Sequence, residues 1–300
     1  MQQTLPPEIL AVHSGYLDSL RQAVALGKPE VDEKKSSLNL YTQRDEEYRP
    51  YDLVKTVAVL PLRGFLFKRG WWWGCSYDYF ADLIRLAVAD YAVDTILLDV
   101  ETPGGGIYGC PDCSDVIFEA RKYKKVIAVV NDLCASAGLW LTSAASEIVI
   151  TQSGEIGSIG VYEMRFDYTK MLADDGIRVD VIRAGAQKAW GSPYLPTTDE
   201  ELAVRQADVD ASYDMFISAV ARNRGVSTDL VRKDWADARM FDAKTAVSIG
   251  LADRIASFDK VLAELVGRDV ITGDNSNGNS DSNSSGQPTA KRRWSGICRR

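Results

Sequence analysis

Histidine is almost absent from this chain: His13 is the only one in 300 residues. It lies ahead of the strand and helix pattern of the main domain, so a Ser-His-Asp triad would need an imidazole folded back from outside. A serine hydrolase built on this sequence is therefore expected to use another base. Cysteine is scarce too, and the odd set Cys75, Cys110, Cys113, Cys134 and Cys298 does not resemble a disulfide framework, which fits a reducing compartment. No apolar run approaches the roughly 20 residues that span a bilayer. The opening MQQTLPPEIL lacks a basic stretch followed by an apolar core. The expectation is a cytoplasmic protein with no membrane anchor. Excess positive charge is also missing: a net charge of −7 and a pI near 5.0 give no broad attraction to nucleic acid.

What is present is an ordinary globular composition, 46% hydrophobic and 26% charged. Residues 1–52 read as an N-terminal arm, 53–267 as one folded domain and 268–300 as a polar tail with a basic end. Within the domain, period and composition predict strands over 56–62, 95–100, 125–130, 148–151 and 178–183. Helices are predicted over 79–89, 111–123, 136–146, 167–174, 199–224, 227–234, 242–249 and 258–266. This alternation implies an α/β fold with a mostly parallel sheet and right-handed crossover helices. The long helix 199–224 motivates packing against a second copy, hence a homo-oligomer. Trp71, Trp72 and Trp73 cannot all face one core, so at least one is expected either at an interface or substrate lip or packed in its loop against the domain's own surface.

Three stretches could carry chemistry. In 126–141, VIAVVNDLCASAGLWL, a β-branched strand gives way to a small-residue helix, with 131–134 read as the connection. Ser136 stands at that turn, where a hydroxyl can leave the packed layer while helix N–H groups point to the same place. Its commonest role would be a helix cap; a nucleophile is the rarer one. Next, Thr102-Pro103-Gly104-Gly105-Gly106 directly follows a buried strand. Its glycines let the backbone approach a ligand and turn N–H groups outward, as an oxyanion hole requires. Its spacing matches neither nucleotide-binding glycine motif. Finally, Lys188 lies in the Gly- and Pro-punctuated loop 184–193. A lysine serves as general base only where desolvation favours its neutral form, and most loop lysines are simply solvated. Cys110-Pro111-Asp112-Cys113 is a C-x-x-C without the further ligands zinc would need, and reads as two helix-start cysteines.

Taken together, DVETPGG at 99–105, the strand leading into 135–138, GSIGV at 157–161 and the loop 185–193 resemble the signal peptide peptidase A family of serine peptidases, of the Clp-protease and crotonase superfold. Within it the resemblance is nearest to the soluble head-maturation proteases of tailed phages and prophages, over about 57–255. Ser158 follows Ser136 by 22 residues and Lys188 follows it by 52, the spacing of that family. The resemblance implies that Ser136 is the nucleophile and Lys188 the general base of a Ser-Lys dyad, with Ser158 holding the lysine amine. It implies oxyanion donors at the N–H groups of Gly105 and Ala137, with Gly104 shaping the turn. Ala137-Gly138 stands where many relatives carry Gly-Gly or Ala-Ala.

The expected function is an endopeptidase that processes capsid, scaffold or portal proteins in an assembling phage head, without metal or organic cofactor. A bacterial peptidase of signal-peptide remnants, or of proteins for degradation, is the nearest alternative. A crotonase-type acyl-CoA enzyme would want a glutamate pair near the glycine turn, which is missing, and an idle procapsid protein would not need the dyad.

Overall fold

The computed structural model describes residues 10–12, 49–69 and 74–267. His13, Trp71–Trp73, the tail 268–300 and most of the arm 1–52 lie outside the described residues.

The chain enters with β1 (Leu10–Val12), β2 (Asp52–Val54), β3 (Val57–Arg63), β4 (Phe65–Phe67) and β5 (Gly74–Ser76). Helix α1 (Tyr77–Ala89) starts where the Ser76 side chain accepts the Tyr79 N–H. Its Phe80, Leu83, Ile84 and Ala87 form the buried face that the helical spacing predicts. There follow β6 (Thr95–Thr102), β7 (Gly104–Gly106), α2 (Cys110–Ala120), β8 (Lys125–Ala135), α3 (Ala137–Ser143), β9 (Glu147–Ile150) and β10 (Glu155–Gly157). After α4 (Thr169–Asp174) comes the long α5 (Asp199–Arg224), then α6 (Thr228–Leu230), which widens into a π-helical turn at Val231–Trp235. The end is β11 (Met240–Asp242), α7 (Ala243–Ser248), β12 (Arg254–Ile255) and α8 (Phe258–Val266).

The main sheet runs β11-β10-β8-β6-β3-β2, with β9 also on β8 and β12 on β9. The central pairs β3/β6, β6/β8, β8/β9 and β8/β10 are parallel; β2/β3 and β10/β11 at the ends are antiparallel. This is the mostly parallel α/β arrangement expected of the alternating pattern. Because parallel strands are covered on both faces, their sequences are near-continuous apolar runs. On one face Leu60, Leu62, Ile96, Leu98, Ala128 and Val130 meet the helices. On the other, Val57, Val59, Leu97, Ile127 and Val149 meet Val261 and Val266 of α8.

A second, smaller sheet has the order β1-β7-β4-β5, with β7 parallel to β4 and antiparallel to β1.

The glycine turn at 104–106 and parts of the loops at 64–74 and 153–160 are short strands, and two further stretches differ from the sequence expectation. The connection predicted at 131–134 is strand: β8 runs on to Ala135, absorbing extra residues as a bulge between the pairs Val100/Val130 and Thr102/Cys134. Such a bulge bends a strand and re-aims its later residues. Here the first half of β8 pairs β9 and the second half β10. The strand predicted at 178–183 is the other departure, since that stretch is exposed and carries no regular structure. Its apolar and polar residues alternate suitably, but no described strand lies alongside to supply the ladder. A lone strand cannot satisfy its own backbone groups.

Candidate active site

Two parallel strands end side by side. Gly157 of β10 stands in register with Ala135 of β8, so the next residues, Ser158 and Ser136, leave neighbouring strands together. Both have positive φ, 60° and 55° respectively. Non-glycine residues enter that region at a cost of about 1–3 kcal/mol, repaid by surrounding structure. Here the backbone is pinned: Ser136 N–H donates to Gly157 O (2.9 Å) and Ser158 N–H to Arg239 O (2.7 Å). Gly157 itself (φ 147°) has no room for a side chain, because a Cβ would lie 2.2 Å from Arg239 O.

Ser136 therefore caps no helix in the usual way. Its hydroxyl makes no capping hydrogen bond to α3, is buried and has no hydrogen-bond partner. A buried hydroxyl left unpaired costs about 1–3 kcal/mol, so the position is held by its surroundings at some expense to stability. The helix behind it is firmly packed. Trp140 is fully buried and stacks on Phe216 of α5, ring centres 4.5 Å apart. Asn223, also on α5, donates to Ser143 Oγ (2.9 Å) and Ser114 Oγ (3.3 Å), while both hydroxyls donate to Trp140 O.

The glycine strand β7 begins just beyond Thr102, which stands opposite Cys134, two residues before Ser136. Thr102 braces the turn: its hydroxyl donates to Gly64 O (2.6 Å) and accepts the Gly104 N–H (3.1 Å). Gly104 (φ 97°) makes the turn, and its N–H is thereby used. Gly105 is fixed by close approach, since a Cβ would fall 1.8 Å from Leu66 O. Gly138, in the first turn of α3, would bring a Cβ within 2.4 Å of the Thr102 side chain, so the helix start and the glycine turn are in direct contact. Ser136, Ala137 and Ser158 thus follow the C-terminal ends of β8 and β10, and the Gly104–Gly105 turn follows the end of neighbouring β6. Sequence alone gave no sign of the roles of Thr102, whose hydroxyl joins Gly64 O to the Gly104 N–H, and of Arg239, whose backbone carbonyl accepts from Ser158.

Lys188 is not gathered with them. It is exposed, in a turn where its N–H donates to Gly185 O, and no hydrogen bond joins its amine to Ser136. The loop around it is nevertheless anchored. Glu201, 2% exposed at the start of α5, accepts the Gly191 N–H (2.7 Å) and pairs with Arg165 (3.2 Å). Arg165 also donates to Thr197 Oγ1 and to Ser192 O.

The described thiols Cys75, Cys110, Cys113 and Cys134 are all buried, and none of them forms a disulfide. Burial holds all three of Cys110, Cys113 and Cys134 in the thiol form, the last pushed up to about 12. Among the described residues no group of three or more His, Cys, Asp or Glu could hold a metal ion, and no helix is long and apolar enough to cross a membrane.

The profile of Peptidase family S49 matches residues 119–269, which include Ser136, Ser158 and Lys188. The chain belongs to peptidase family S49. It is 33% identical over 262 residues to the capsid assembly protease C of Escherichia phage lambda, covering 85% of this chain and 59% of that one. It is also 33% identical over 222 residues to the head-tail preconnector protein GP5 of Enterobacteria phage P21, covering 72% of this chain and 44% of that one. The chain thus spans about half the length of these relatives. Among solved structures, a point mutant of ClpP1 from Listeria monocytogenes aligns with a TM-score of 0.44 at 14% identity, covering 68% of this chain and 94% of that chain.

Proposed function

We propose that this S49 member is a serine endopeptidase in which Ser136 is the nucleophile and Lys188 the general base. The carrying observation is Ser136 itself, a buried, unpartnered hydroxyl on a positive-φ turn beside a glycine strand. Such a hydroxyl gains nothing for the fold. It suits a nucleophile held ready for a carbonyl. In the reaction, neutral Lys188 takes the Ser136 proton as Oγ attacks the peptide carbonyl. The N–H groups of Gly105 and Ala137 hold the oxyanion, Ser158 steadies the lysine amine, and the departing amine takes the proton. Water then attacks the acyl-enzyme by the same route in reverse.

For this scheme Lys188 must be covered and brought to Ser136. A second copy of the chain suits that step. Ile177, Val179, Val181, Ile182, Leu202 and Val204 are all exposed on the stretch that surrounds Lys188, more apolar side chain than a solvated loop needs. We therefore read the working form as a homo-oligomer whose assembly buries this stretch. Residues 53–267 would form the peptidase domain, with 1–52 as an arm that adds β1 to its small sheet and packs Tyr51 into its core, and 268–300 as a polar tail.

The phage relatives support capsid, scaffold or portal proteins as substrates, cleaved in the host cytoplasm within the growing head. The test compares casein cleavage and self-cleavage by the intact chain, Ser136→Ala and Lys188→Ala. Both variants should be inactive while remaining folded; equal activity in all three would sink the dyad.

A further inference from the structure

The small sheet contains a pairing that the peptidase reading does not use. Leu10, Ala11 and Val12 lie antiparallel to Gly106, Gly105 and Gly104, while β4 takes the other edge of β7. The strand that adjoins Ser136 is therefore completed by three residues from the N-terminal segment of the same chain. We propose that this edge of β7 is a backbone-reading peptide site, and that residues 10–12 occupy it in competition with any extended peptide that would reach Ser136. The inference rests on the peptidase reading for what the competing peptide is, but not for the pairing.

An exposed strand edge offers unpaired N–H and C=O groups to any extended chain, and antiparallel addition is a standard way to bind one. β7 offers such addition its backbone alone, because three successive glycines carry no side chains on either face of the sheet to contact those of an incoming strand. Its edge is also placed by the chemistry. The Gly104 N–H is spent on Thr102 Oγ1, and Gly105, the proposed oxyanion donor, is the residue opposite Ala11. The Ala11 backbone thus stands beside the donor that a substrate carbonyl would need. Recognition through main-chain groups is tolerant of sequence, so one arm can fill the edge and a substrate can displace it.

The test uses the full chain in the Ser136→Ala background, so that nothing is cleaved. Ala11→Pro removes the N–H facing Gly105, and Leu10→Pro/Val12→Pro removes those on either side. Antiparallel ladders use alternate residues, so one of the two variants must break the pairing. The probe is a fluorescein-labelled peptide of residues 6–16. At least one proline protein should bind it about tenfold or more tightly than the unaltered protein does, a difference of about 1.4 kcal/mol. Equal affinity across all three proteins overturns the inference, as does absence of binding to proline proteins that keep the parent melting temperature. If the proline proteins do not fold, excess unlabelled peptide added to the parent should speed amide exchange over 10–12, and unchanged exchange overturns the proposal. None of these readouts needs turnover, so a protein that binds in this way without cleaving casein would separate failure of the peptidase reading from failure of this one.

Discussion

The two halves of the proposed dyad sit in opposite surroundings. Ser136 is at the junction of β8 and α3, where every side chain of the helix is buried and the backbone is pinned by a neighbouring strand. Lys188 is on the stretch 160–198, where α4 buries no residue and Ile182 is fully exposed. A junction packed on all sides can hold a strained, unpaired hydroxyl. A loosely packed stretch cannot hold an amine in a dry site until something covers it. On the proposed dyad, the nucleophile would be preorganised by the protomer, whereas its base would depend on association.

The largest expected effect separates the two halves by chemistry. Ser136→Ala should lower casein hydrolysis by about 10⁴-fold or more, in line with loss of a nucleophile, with the melting temperature kept or raised because an unpaired buried hydroxyl is gone. Substantial residual turnover would break the assignment.

Packing separates them next. Trp140→Ala should destabilise the protomer by about 3–5 kcal/mol in urea unfolding, since it empties a filled core site and removes the stack on Phe216. Lys188→Ala should leave that unfolding curve within about 0.5 kcal/mol of the parent, as exposed substitutions do. If both changes cost alike, the contrast between a rigid and a loose half fails.

Association is probed by Ile182→Asp. Placing a charge on the exposed apolar stretch should dissociate the proposed oligomer in sedimentation and lower hydrolysis at micromolar protein, with the protomer's melting curve unchanged. An oligomer that survives with full activity would show that closure of the dyad does not pass through this surface. The anchor of the Lys188 loop comes next in size. Glu201→Gln keeps an acceptor for Gly191 but removes the charge that Arg165 meets, a loss of about 1–3 kcal/mol. It should raise amide exchange across 185–197 and lower kcat, and unchanged exchange would remove Glu201 from the loop's support.

The smallest effect lies on the stable half. Asp90 is held well below the usual carboxylate range, first by its hydrogen bond from Arg49 (2.6 Å) and further by the Ala92 N–H and the Tyr51 hydroxyl. A lowered carboxylate contributes stability above its unfolded value of about 4 and loses it as pH falls toward the folded value. Asp90→Asn should therefore lower the melting temperature at pH 7, and the penalty should shrink below about pH 4. A penalty independent of pH would show that the pair contributes through packing alone.

Much of the fold could be read from the chain. The bounds of α5 and α8 match the expectation, because their Thr198 and Ser257 caps and the left-handed Gly225 and Gly267 that close them are local signals. The β8 extension was not legible, since whether 131–134 is loop or strand depends on β10 lying alongside. The strand expected at 178–183 failed for the converse reason, as a suitable pattern found no partner.

For the site, the sequence by itself determined which residue types were available: a single histidine, a serine after a buried strand, a glycine turn upstream and a lysine in a punctuated loop. It also determined the spacing that marks the family. Only the tertiary structure decided that Ser136 and Ser158 leave paired strands side by side with positive φ, that Thr102 consumes the Gly104 N–H, and that the Lys188 stretch is left uncovered. The reason is physical. Composition and periodicity act over a few residues, whereas register, backbone strain and burial are set by the strand that happens to lie next door.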